Sequence, residues 1–154
     1  MDYSSGDSDR SGPNLNTFNP LFPNPVYSSL SALLGPSNIT DVGPTVRFAI
    51  GSKTRLGLES PFYWRNSLQD GIYGFAGNLI RPAGPSMSRY VGSQPGITVD
   101  HSYTSHLSSS IAYFRFFTGD FLRQMPPGKN VGFLICHAHV SLLRGICAVA
   151  ENRV

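Results

Sequence analysis

The chain has 154 residues, of which hydrophobic types make up 40%, aromatics 12% and charged types only 14%. That suits one domain with a core of its own and a surface that is polar without being highly charged. Sixteen glycines and twelve prolines exclude helical bundles and coiled coils, because both residues are costly inside long helices.

The net charge of +3 conceals a division: Asp2, Asp7 and Asp9 face only Arg10 at the start, and the remainder is basic through Arg, with Lys53 and Lys129 as the only lysines. Residues 1–27 are rich in Ser, Asp, Asn, Gly and Pro and predict a flexible or extended arm. Leu21, Phe22, Val26 and Tyr27 near its end are the apolar residues suited to lying along a neighbouring surface. Asn24 to Tyr27 matches an Asn-Pro-x-Tyr turn, and Ser28 to Leu34 predicts one or two helical turns closed by Gly35 and Pro36.

From there to residue 154 a single β-rich domain is expected. Short apolar segments rich in β-branched and aromatic residues, such as Thr45 to Ile50, Thr54 to Leu58 and Ser110 to Phe117, are separated by Gly and Pro. This predicts a mainly β fold, an antiparallel sandwich or jelly-roll-like barrel with at most short helices. Val131 to Val140 is apolar on both of its alternating faces, so it predicts a central strand covered on both sides. Leu142 to Ala150 fits either a hairpin or a helix. Cys136 and Cys147 lack zinc or disulfide-framework spacing and predict free buried thiols.

His137 and His139 share a strand face by period-two spacing, and with Asp100, His101 and His106 as possible partners they form the candidate metal set. The carboxylate that such a strand site needs is missing, with Leu143 and Arg144 at the expected spacing. No strand-elbow Gly-x-Ser-x-Gly is present. The residues therefore predict no enzyme and no cofactor. No apolar run reaches the about 18 residues of a membrane-spanning helix, and the acidic start is unlike a secretory leader.

Ile111 to Arg123, the Pro126-Pro127-Gly128 turn and Gly132 to Val140 together resemble the strand, bend and following strand of jelly-roll capsid proteins in picorna-like viruses. Tyr27 to Leu34 resembles the segment that precedes the barrel in some of them. The resemblance implies a structural subunit of a virion, found there or in host cytoplasm, associating with itself or with other subunits. Its dispersed arginines would then make non-specific contacts to nucleic acid. Two other readings stand beside it: a small β-barrel metal enzyme using His137 and His139, and a subunit of an organellar or ribonucleoprotein complex.

Overall fold

The computed structural model describes residues 1–9, 12–14, 16–22 and 33–141. As the turn punctuation predicts, the protein is mainly β and antiparallel, with one short helix. The strands are β1 (Asp2–Tyr3), β2 (Ile39–Val42), β3 (Thr45–Ile50), β4 (Thr54–Glu59), β5 (Phe62–Arg65), β6 (Ile72–Tyr73), β7 (Leu79–Arg81), β8 (Tyr90–Ser93), β9 (Gly96–Ser102), β10 (Leu107–Thr118) and β11 (Val131–Val140). Helix α1 is Asp120–Gln124. Val26, Tyr27, most of the helix expected over Ser28 to Leu34, and the stretch beyond Ser141 lie outside the described residues.

Most of these short strands are pieces of longer ones. β2 runs into β3 through Gly43 and Pro44, β4 into β5 through Ser60 and Pro61, and β8 into β9 through Gln94 and Pro95. Proline has no N–H for the ladder, so regular pairing breaks at each of these sites. The proline carbonyls nevertheless bridge to the next strand: Ser60 N donates to Pro44 O at 3.0 Å, Gln94 N to Pro61 O at 2.9 Å and Arg115 N to Pro95 O at 3.0 Å. The result is an up-and-down meander of runs 39–50, 54–65, 90–102, 107–118 and 131–140, each antiparallel to the next. Among the described residues the sheet does not close, and β3 and β11 are its edges at that level.

The two ends of the meander differ. Short turns close one end, at residues 51–53 and 103–106, with Gly51 at φ +66 supplying the conformation that L side chains avoid. Long connections occupy the other end: residues 66–89, which carry the β6–β7 hairpin, and residues 119–130, which carry α1.

The core sits at this second end, on one face of the sheet only. Tyr63, Val91 and Phe116 from the strands meet Leu34, Ile72, Phe121 and Leu122 from the connections. Arg65 is wholly buried there, with Nε donating to Ser88 O at 2.7 Å, Nη1 to Ala83 O at 3.2 Å and Nη2 to Ser86 O. Its guanidinium also lies 4.1 Å from the centre of the Phe121 ring. A group that is always charged is tolerated here because carbonyl oxygens and an aromatic face replace its water.

The first residues are joined to the same body. β1 pairs with β2, and Ser4 Oγ donates to Ile39 O at 3.0 Å. Asp70 accepts from Asp7 N at 2.9 Å, Thr17 Oγ1 at 2.6 Å and Tyr73 OH at 2.7 Å. Burial, reinforced by Asp70, pushes the Tyr73 phenol up. The backbone N–H of Asp9 donates to Asp7 and holds that carboxyl below the ordinary carboxylate value. Leu21 and Phe22, the described members of the expected sticky segment, are almost fully exposed.

Candidate functional site

Strand registers place side chains in rows that cross the sheet, because paired residues point to the same face. One face carries Val46, Leu58, Ile97, Tyr113 and Leu134 in one row, and Phe48, Leu56, Val99, Ile111 and Cys136 in the next. Large apolar residues all across it, among them Val46, Phe48, Ile111 and Leu134, are 48–69% exposed. A contiguous apolar surface of this extent exceeds what a water-soluble monomer ordinarily shows. At the core end it continues into Phe62 and Trp64, with ring centroids 6.2 Å apart, and Tyr90, 5.8 Å from Trp64. At the turn end it reaches Tyr103.

The opposite face alternates with it residue by residue and is polar. Ala49, Arg55, Asp100, Ser110 and His137 form one row, and Arg47, Gly57, Thr98, Ala112 and Ile135 the next. A third row, Thr45, Glu59, Gly96, Phe114 and Phe133, is where the packed core begins. Arg47, Arg55, Glu59, Asp100, Ser110 and His137 line a cleft of about 580 Å³ over this face. Arg47 and Arg55 stand diagonally across the β3–β4 pair, and Gly57 lies between Arg47 and Thr98 in the second row.

β10 has 12 residues and β11 has 10, matching the about 9–11 residues of a tilted strand that crosses a bilayer. An apolar face, a polar face, aromatic residues near both ends and strands of this length are the physical signature of a membrane-spanning β-sheet. On a sheet of that kind the apolar face meets lipid and the polar face meets water or solute.

Against this geometry the candidate metal histidines separate. His137 and His139 do share the inner face, as their spacing predicts. His101 lies on the outer face, where its Nδ1 is hydrogen-bonded to Thr54 Oγ1 at 2.9 Å and its ring meets Tyr103 edge-on. His106 is in the turn, its Nδ1 donating to Ser141 O at 3.0 Å. No group of three metal-ligating side chains converges among the described residues.

The expected burial of Val131 to Val140 on both sides is corrected. The strand stands where predicted, but Leu134 and Val140 on its outer side are exposed, because that apolar side faces outward rather than into a second protein layer. Cys136, expected buried, is exposed on the same side, and Cys147 lies outside the described residues. Arg47 and Arg55 were not picked out as a site, and Asp100, considered beside the histidines, stands in the row of Arg55 and His137. The signal for the two arginines was the alternation in Thr45 to Ile50 and Thr54 to Glu59, where every second residue is apolar or small and the intervening ones include Arg47, Arg55 and Glu59.

No helix among the described residues is long and apolar enough to cross a membrane, which leaves strand crossing unaddressed. No curated protein and no solved structure matches the chain. The family model described as alginate export matches residues 1–131, and that family is one of outer-membrane β-barrels. This overturns the resemblance to picorna-like capsid proteins, the capsid, metal-enzyme and organellar or ribonucleoprotein readings, and the virion or host-cytoplasm location. The capsid likeness rested on aromatic, β-branched strands around a bend, which any twisted antiparallel sheet uses. With one family model covering 131 of 154 residues, the chain belongs to the alginate export family.

Proposed function

We propose that this chain forms part of the wall and interior of an outer-membrane β-barrel that carries an anionic polysaccharide of the alginate type. The observation that supports this most is the division of one sheet into an exposed apolar face and a polar face bearing Arg47 and Arg55. Lipid covers the first at no cost to apolar side chains. The second presents guanidinium forks that match carboxylates along a uronate chain. Closing a membrane barrel takes eight or more strands, so the free edges of β3 and β11 are where further strands join. Short turns at one end and long connections at the other reproduce the asymmetry of such barrels, whose short turns face the periplasm. The packed core then fills the interior at the outer end.

Trp64 is the single tryptophan of the chain and lies in the outer aromatic cluster. Refolded into vesicles of brominated phosphatidylcholine, its fluorescence should be quenched, more strongly by bromines near the headgroup than by bromines at the chain ends. Unquenched fluorescence from protein that remains outside the vesicles would overturn the membrane reading.

A further inference from the structure

The strand register carries the outer face past its aromatic cluster to the first strand. Tyr3 stands across from Thr40, Thr40 from Trp64 and Trp64 from Tyr90, so the four share one row. Asn66 lies two residues beyond Trp64, its Oδ1 accepting from Thr40 Oγ1 at 2.6 Å and its Nδ2 donating to Ser4 O at 2.6 Å. Beside it opens a groove of about 400 Å³ whose polar lining is Tyr3, Ser8, Asn66, Ser67 and Arg89. A strand rises about 3.3 Å per residue, so the groove begins within about 7 Å of the Trp64 level, at the end of the sheet that holds the long connections.

Arg89 is the only charged side chain in that lining. Its Nη1 donates to Arg65 O at 3.3 Å and to Asn66 O, which braces the guanidinium against the groove wall. Nε and Nη2 make no hydrogen bond among the described residues. The neighbouring carboxylates point elsewhere. Asp7 accepts from Asp9 N and Asn16 N, and Asp70 from Asp7 N, Thr17 and Tyr73. Asp9 Oδ2 lies beside Gly12, and Asp2 and Asp41 share the opposite face with Tyr63. The groove therefore presents one positive charge with no carboxylate in its lining.

We infer that this groove binds the phosphate of a lipid headgroup, in the leaflet on the side of the long connections. This rests on the membrane reading above and adds a lipid site to it. Aromatic belts sit at headgroup depth, so a polar groove just beyond Trp64 and Tyr90 meets headgroups rather than acyl chains. A guanidinium matches phosphate oxygens with parallel N–H bonds, and Arg89 keeps Nε and Nη2 for them. The exposed hydroxyls of Tyr3 and Ser8 supply donors for the remaining oxygens. A free phosphate shares this chemistry, but the membrane surface holds lipid phosphates at the groove's own depth, where basic pockets take headgroups.

The test uses the full chain in phosphatidylcholine vesicles that contain a low fraction of phosphatidic acid with a dansyl-labelled acyl chain. Trp64, the single tryptophan, is the energy-transfer donor, and dansyl-labelled phosphatidylcholine at the same fraction is the control. Transfer to the phosphatidic acid should exceed the control severalfold. Arg89→Gln should bring it down to the control. Because Arg89 also braces two carbonyls, Ser8→Asp is the second variant: it sets a carboxylate in the groove, leaves Arg89 in place and should also remove the excess. Lys53→Gln, at the opposite end of the sheet, should keep it. Glycerol phosphate at the bulk concentration of the labelled lipid should leave the excess intact; its loss would mean that the groove takes free phosphate and would overturn the lipid assignment. Equal transfer to the two lipids, or an excess that survives either groove variant, would overturn the inference and leave the membrane reading standing. No transfer to either lipid would overturn both.

Discussion

Ser110 and Ile111 are neighbours in β10, yet each belongs to a different row: Ser110 lies between Asp100 and His137 on the inner face, and Ile111 between Val99 and Cys136 on the outer. The same substitution at these two positions should therefore have opposite consequences. In lipid-embedded protein Ile111→Arg should cost about 2–4 kcal/mol, the range for a cation on the lipid face near the bilayer midplane. Ser110→Arg, pointing into the polar cleft, should stay within about 1 kcal/mol of the parent, as exposed substitutions do. Urea unfolding from vesicles, followed by Trp64 fluorescence, gives both values. Equal costs at the two positions would mean that the outer face does not meet lipid.

Arg65 anchors the packed end. Replacing it by Met keeps much of the volume and the contact with Phe121, but it removes the donors to Ser88, Ala83 and Ser86. Each buried carbonyl left without its donor costs about 1–3 kcal/mol, so Arg65→Met should lose about 3 kcal/mol or more. Arg65→Lys should recover only part of this, because one ammonium cannot reach three carbonyls with the geometry of a planar fork. The ordering parent, Lys, Met in unfolding midpoints is the expected result. A Met variant as stable as the parent would show that the carbonyl contacts contribute nothing.

Asp7 gives the N-terminal segment a dependence on acid. Its carboxyl accepts from the backbone of Asp9 and Asn16, and its folded value is lowered. A lowered carboxylate contributes stability that is present above its unfolded value, 3.8, and is lost as pH falls through the lower folded value. Amide protection at residues 2–9, corrected for the intrinsic exchange rate, should therefore fall below about pH 4, and Asp7→Asn should show lower protection already at neutral pH. Protection that is the same at both acidities would remove Asp7 from the anchor.

What the sequence made legible follows from how far each signal reaches. The strands around Val46, Phe114 and Val131 were recoverable because Gly and Pro punctuation and β-branched runs are local properties. The sidedness of the sheet was not. Leu134 and Phe133 are both large apolar neighbours, and pattern alone does not say that Leu134 is exposed on the outer face while Phe133 packs on the core. Lipid and protein interior select the same residues, so a barrel strand leaves no apolar run of the kind that reveals a spanning helix. His137 and His139 were correctly placed on one face, since period two fixes that. The place of His137 in one row with Arg55 and Asp100 depends on the register of four strands, which no local pattern encodes.

Phe114 covers Gly96 on the inner face, at the boundary between the polar cleft and the packed core. A Cβ at Gly96 would stand 2.1 Å from Phe114 Cδ1, and Phe114 is fully buried. An aromatic ring laid over a strand glycine shields its backbone from water, so the pair is a unit rather than two independent residues. Gly96→Ala should destabilise by about 1–3 kcal/mol through overpacking. Phe114→Leu alone should cost a comparable amount by leaving a void. Combined, they should cost clearly less than the two separately, because the smaller side chain makes space for the new methyl group. A double-mutant cycle measured by unfolding from vesicles reads this coupling directly. Simple additivity would show that the ring does not rest on Gly96.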